Sequence, residues 1–220
     1  MKKRKEKLTK IDQLFLDAQR KLESTNPSIK KMKEYLKKKG GSKKEIDEVI
    51  IKLKKYSLLD EDEIIKNVLS YAETKHYGFN KIIQMLRLRE IDPKKIDKLS
   101  KDEQRELRES KEMTKRLIKR YKNKNTVNLK RSVFSALIRY GFDENIASIR
   151  AEEVYISPLE ELNVLILDYK KAISSYSRKV DPSALKVKIR DSLTKKGYKI
   201  NDIRKVEESN IYETSKRVCR

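Results

Sequence analysis

Met32-Lys33-Glu34-Tyr35-Leu36-Lys37-Lys38-Lys39-Gly40, continued by Ser42-Lys43-Lys44-Glu45-Ile46 and Val49, decides the fold. Met32 and Leu36 are spaced to share one helix face. Gly40 stands where a helix C′ residue needs a positive φ. Ser42 to Glu45 has the form of a capping box, and Ile46 and Val49 mark the stripe of a second helix. Ile82, Leu86, Glu90, Ile96 and Leu99 repeat this spacing, as do Ile189, Leu193, Gly197, Ile203 and Val206. Val133, Leu137, Gly141, Ile146 and Ile149 follow the same scheme and differ by one residue in the turn.

A third helix fills each gap: Ile64, Ile65, Val68, Leu69 and Ala72, then Met113, Leu117, Ile118 and Tyr121, then Leu159, Leu162, Leu165, Ile166 and Tyr169. Ile11, Leu14, Phe15 and Ala18 mark a leading helix, and Ile211-Tyr212 is all that follows the last unit. The expected fold is all-α, an elongated tandem array of three-helix repeats, each burying its apolar face against its neighbours. Residues 1–25 form a basic segment and leading helix. Repeats occupy 26–74, 75–124 and 125–179, and 180–220 holds a partial fourth and a tail.

With only 5 Gly and 4 Pro in 220 residues, their positions carry information. Asn26-Pro27, Asp92-Pro93, Ser157-Pro158 and Asp181-Pro182 each read as an N-cap followed by N1. Ser157 to Glu160 is a further capping box. Asp60 to Glu63 has the same shape, with Leu59 and Ile64 placed as a hydrophobic staple.

Lys and Arg total 56 against 34 Asp and Glu, a net charge of +22. Such an excess favours an anionic partner, nucleic acid first among them. One Cys and one His cannot make a four-ligand zinc site, and no cofactor is expected. Val164-Leu165-Ile166-Leu167, among the longest apolar runs, is too short to span a bilayer. The basic start Met1-Lys2-Lys3-Arg4-Lys5 is not followed by an apolar signal region, and the lone Cys219 fits a reducing compartment. A monomer in the cytoplasm, without membrane attachment, is the expectation.

Residues 29 to 99 resemble the core of the bacterial RecX family of regulatory proteins. The resemblance is carried by Met32 to Gly40, Lys44-Glu45-Ile46, Leu53, the Leu58-Leu59-Asp60-Glu61-Asp62-Glu63 junction and Tyr77-Gly78-Phe79-Asn80-Lys81-Ile82 with Leu86 and Ile91-Asp92. Phe79 and Glu90 depart from the Pro and Gly usual there. Leu137 to Phe142 resembles a further repeat. The resemblance implies tandem three-helix units and a non-enzymatic role. Such a protein binds RecA and the groove of the RecA–single-stranded DNA filament, and most often inhibits the recombinase. It thereby regulates recombinational repair and the damage (SOS) response. The alternative is a helix-turn-helix DNA-binding protein unrelated to RecA, since each short Gly turn between two helices mimics that motif.

Lys75, Lys81, Arg87 and Arg89 flank the best-marked motif. Arg131 and Arg139 lie on the corresponding helix of the third unit, and Lys186, Lys188 and Arg190 on that of the fourth. These cations are the candidate contacts to DNA phosphate or acidic filament surfaces. Tyr77, beside Gly78 in a loop, is the candidate for stacking on an unpaired base. His76 has no carboxylate near it in sequence. The acidic run Asp60 to Glu63 reads as a charge-favoured helix N-terminus rather than a metal site.

Overall fold

A computed structural model describes residues 8–209. Ile211, Tyr212, Cys219 and the basic Lys2–Lys5 run lie outside them. Among the described residues all regular structure is helical, and the chain forms two compact units. The first runs up to Glu109 and includes the turn Tyr140–Phe142; the second holds the remainder from Ser110. The first contains α1 (Lys10–Ser24), α2 (Ile29–Lys38), α3 (Lys43–Lys55), α4 (Glu61–Lys75), α5 (Phe79–Leu88), α6 (Pro93–Ile96) and the start of α7 (Glu103–Arg120). The second contains the rest of α7, with α8 (Thr126–Arg139), α9 (Glu144–Glu152), α10 (Pro158–Tyr176), α11 (Pro182–Lys195) and α12 (Ile200–Glu208).

The predicted stripes make the cores. Met32, Leu36, Val49 and Leu53 pack with Leu14 and Ala18. Ile64, Val68 and Ala72 pack with Ile82, Leu86, Ile91 and Ile96. In the second unit Leu165 and Tyr169 pack with Ile189, Leu193, Ile203 and Val206. Full burial of one such aliphatic side chain is worth roughly 1.5–3 kcal/mol.

Gly40, Gly141 and Gly197 sit at φ of 80°, 89° and 94°. Glu90 takes the equivalent place at φ 61°, where a Cβ costs about 1–2 kcal/mol; Lys30 pairs with its carboxylate at 3.1 Å. Each of these turns lies against the start of another helix. Lys10 Nζ at the head of α1 reaches the Lys39 carbonyl at 3.5 Å, and Lys31 Nζ in α2 donates to the Leu88 carbonyl at 3.0 Å. Asn125 and Asn128 at the head of α8 both donate side-chain N–H groups to the Lys196 carbonyl at 2.8 Å. At α5 the backbone itself does this: Gly78 N–H donates to the Tyr140 carbonyl (2.9 Å) and Asn80 N–H to the Gly141 carbonyl (3.1 Å). A Cβ on Gly78 would overlap the Gly141 carbonyl, and one on Gly141 would overlap the Lys81 amide nitrogen. In all four contacts donors near a helix N-terminus meet the orphan carbonyls of a helix C-terminus.

A second recurring device caps the first amide. Glu61 of α4 accepts the Ile29 N–H at 3.0 Å, Glu106 of α7 accepts the Phe79 N–H, and Glu161 of α10 accepts the Thr126 N–H at 2.9 Å. In α11 the first residue is Pro182, which has no N–H to satisfy.

Several expectations are corrected. Asn26-Pro27 precedes α2 instead of capping it; Ser28 is the N-cap, its hydroxyl accepting the Lys31 N–H. Asp60 accepts from the Asp62 N–H at 2.8 Å, and Glu61 turns away to serve α2. α6 is a single turn, and the next helix starts where the Asp102 carboxylate accepts the Arg105 N–H at 3.0 Å. In α9 the buried stripe is Ala147 and Ala151, and Ile149 is exposed. Ala147 restores the six-residue step from the glycine, and Arg150 takes the following core slot by donating to Ser110 Oγ at 3.0 Å. Leu159 and Leu162 are exposed on α10, whose buried face is Val164, Leu165, Tyr169 and Ala172.

Gly141→Ala carries both the left-handed strain and the overlap with α5, whereas among the described residues a Cβ on Gly40 would meet the flexible end of Lys10 at 3.8 Å. Gly40→Ala should cost about 1–2 kcal/mol and Gly141→Ala at least ~1 kcal/mol more, read as a larger fall in the thermal midpoint.

Candidate functional site

The sequence candidates fall into separate groups. In the first unit Lys75, Tyr77 and Lys81 surround the joint between α4 and α5. Lys75 lies over the Tyr71 ring at 5.7 Å. Tyr77 stacks on Tyr140 (centroids 5.7 Å, interplanar 15°) and meets Tyr71 edge-on at 6.1 Å. Its carbonyl accepts from Arg105 at 3.3 Å. Burial, then the neighbouring Tyr71, raises the Tyr77 hydroxyl above the usual phenol range. Tyr77 is therefore half-buried and engaged on both sides; exposed Tyr71 is the ring of this group that faces solvent. Lys81 Nζ donates to Gln84 at 2.7 Å.

Arg87 and Arg89 lie at the opposite end of α5, both exposed. They follow Leu86, whose burial turns its neighbours outward. In the second unit Arg131 and Arg139 are exposed on α8, and Lys186 and Lys188 on α11. Arg190 is different. It makes a bidentate pair with Glu207 of α12, Nε donating to Oε1 at 3.1 Å and Nη2 to Oε2 at 2.5 Å. The bonded Glu207 holds the guanidinium even more firmly charged. The fork joins two helices and is spent there, so Arg190 leaves the set of candidate contacts.

The joint around Tyr77 holds residues that sequence spacing does not reveal. His76 adopts φ 56° as the cap of α4, and its Nδ1 meets Glu109 of α7 at 2.5 Å. Arg108 bonds the other Glu109 oxygen at 3.2 Å. Burial alone would raise the Glu109 carboxyl, but the His76 and Arg108 hydrogen bonds outweigh it and hold the group below the usual carboxylate range. The partner lies 33 residues away in sequence, so no local motif announces it. The available signal is Glu106 and Glu109, one turn apart on the face of α7 that also carries Met113. This histidine–carboxylate pair ties the cap of α4 to α7. Among the described residues there is no cluster of three or more His, Cys, Asp or Glu able to hold a metal, and no helix long and apolar enough to cross a membrane.

What these units define is a basic, all-helical protein whose exposed cations sit on helices held by recurring turn-to-helix contacts. No family model matches the chain, and no solved structure matches it. Among curated proteins it is similar to the regulatory protein RecX of Bacillus pumilus, at 26% identity over 180 residues, covering 80% of this chain and 68% of that protein. That similarity supports the RecX resemblance of residues 29 to 99 and extends it well beyond them.

Two substitutions separate structural from surface cations. Arg190→Ala leaves the buried Glu207 without its fork and should cost about 1–2 kcal/mol in urea unfolding, while Arg131→Ala stays within about 0.5 kcal/mol. The Glu109 linkage has a definite sign. Its carboxyl is depressed in the folded state, so its contribution is present above the ordinary carboxylate range and is lost as pH falls through the folded value. Glu109→Gln should thus be less stable than the parent at neutral pH, with the difference shrinking in acid.

Proposed function

We propose that this chain is a RecX-type modulator that binds RecA and the RecA–single-stranded DNA filament, and inhibits the recombinase. It would thereby regulate recombination, repair and the SOS response in the cytoplasm. The similarity to RecX over 80% of the chain is the observation that carries this reading. The physics agrees with it: a net charge of +22 gives long-range attraction to a nucleoprotein track whose phosphates are the dominant anions. Exposed Arg87 and Arg89 at the end of α5, with Lys81 near its start and Lys75 at the end of α4, provide cations along α5 and its joint with α4. Arg131, Arg139, Lys186 and Lys188 provide the same on α8 and α11. These residues position the protein on phosphate or acidic protein surface without reading base sequence. Tyr71 is better placed than Tyr77 to add a ring contact, since Tyr77 is already stacked.

The test is ATP hydrolysis and strand exchange by the cognate RecA on single-stranded DNA. Stoichiometric or lower amounts of this protein should depress both. The double variant Arg87→Ala, Arg89→Ala should weaken the effect, and its binding should depend less steeply on salt, by about one unit of slope for each phosphate no longer neutralised. An unchanged RecA rate at equimolar protein overturns the reading. A sequence-selective footprint on duplex DNA in the absence of RecA would favour a helix-turn-helix regulator instead.

A further inference from the structure

We propose that the groove between the start of α2 and the α5–α6 turn is a docking site for an arginine side chain of a partner protein, received by Glu61. The groove has a volume of about 690 Å³ and an apolar floor that includes Ile29, Ile91 and Ile96. That is room for a long side chain with its flanking backbone. Glu61 lines it and is only 2% exposed. One oxygen of Glu61 accepts the Ile29 N–H, while the other is buried and has no hydrogen-bond partner. An ionised oxygen withdrawn from water without a donor is strongly unfavourable, and a donor brought to it is correspondingly favoured.

The local charge selects a cationic donor. Although the whole chain is +22, five carboxylates line this groove against four basic side chains, a balance of 4 − 5 = −1. Two of those cations are already committed: Lys30 pairs with Glu90 at 3.1 Å and Lys33 with Asp47 at 2.7 Å. Asp97 and Glu34 lie on the same lining. A guanidinium fits better than an ammonium. Its planar fork can donate to Glu61 and to a second carboxylate while its weakly hydrated face lies on the apolar floor.

The second unit supplies an internal comparison. There Glu161 occupies the corresponding position beneath α8, and one of its oxygens accepts both the N–H and the hydroxyl of Thr126, at 2.9 and 2.6 Å. The α2 counterpart of Thr126 is Ile29, which has no hydroxyl. Both Thr126 donors go to the same Glu161 oxygen, so the Glu61 oxygen that serves Ile29 receives one donor where its counterpart receives two.

The experiment titrates the blocked peptide acetyl-Gly-Arg-Gly-amide into the full chain and follows the backbone amide of Ile29, which bonds Glu61 directly, by nitrogen–proton correlation NMR. A saturable shift at millimolar peptide is expected, with the citrulline analogue, which is uncharged, at least tenfold weaker. Glu61→Gln replaces the acceptor by an amide donor and should abolish the response, with Asp97→Asn weakening it several-fold. Thermal unfolding of every variant checks the fold, and the citrulline comparison on the parent carries the test if Glu61→Gln does not fold. The proposal is overturned if the arginine peptide leaves Ile29 unmoved, if citrulline serves equally, or if a folded Glu61→Gln variant responds like the parent. It is also overturned if an oligodeoxythymidylate shifts Ile29 while the peptide does not. None of these outcomes depends on RecA, so the result stands apart from the functional reading above.

Discussion

The first amides of an α-helix have no partner within the helix, and at α2, α5 and α8 this chain solves that problem in the same way. A glutamate from a later helix reaches back to the first N–H of α2, α5 and α8. A turn that ends on a left-handed residue then brings its carbonyls to the same end, most tightly where Gly78 and Gly141 touch backbone to backbone. The two devices place buried charge and orphan dipoles in mutual register, so the apolar stripes have a fixed partner to pack against. Where the chain begins a helix with proline, as in α11, there is no N–H to serve and no such glutamate is needed.

This arrangement also explains where the positive charge goes. Buried ionic groups are consumed internally: Glu109 by His76 and Arg108, Glu207 by Arg190. The surplus is left on outward faces. Lys75, Arg87, Arg89, Arg131, Arg139 and Lys188 are all exposed, and a surface of this kind binds by counterion release rather than by base readout. The acidic groove below α2 is the local exception, which is why it selects a different chemistry from the rest of the surface.

Much of the fold was legible because helix grammar is local. Met32 and Leu36, the capping boxes at Ser42 and Ser157, and the positive φ of Gly40, Gly141 and Gly197 all follow from short-range spacing. The misreadings share a cause: a long-range partner took over a residue that local pattern had assigned elsewhere. Glu61, read only as part of the acidic start of α4, serves the Ile29 N–H. Arg150 filled a core slot because Ser110 could satisfy it, which displaced the stripe to Ala147. Tyr77 is held by Tyr140 and Tyr71, and His76 by Glu109, at separations no motif records. The site is less legible than the fold for the same reason. A surface cation and a cross-linking one, Arg131 and Arg190, look alike in sequence and differ only in what the fold places beside them.

On the function proposed above, the exposed cations serve a nucleoprotein filament rather than DNA as such. Its most direct test is retention of this protein on immobilised single-stranded DNA, bare or coated with the cognate RecA and a slowly hydrolysed ATP analogue, at about 150 mM salt where exposed charges act over roughly 8 Å. The account predicts strong retention on the coated strand and weak retention on the bare one. Equal retention on both, or none on the filament, would contradict it.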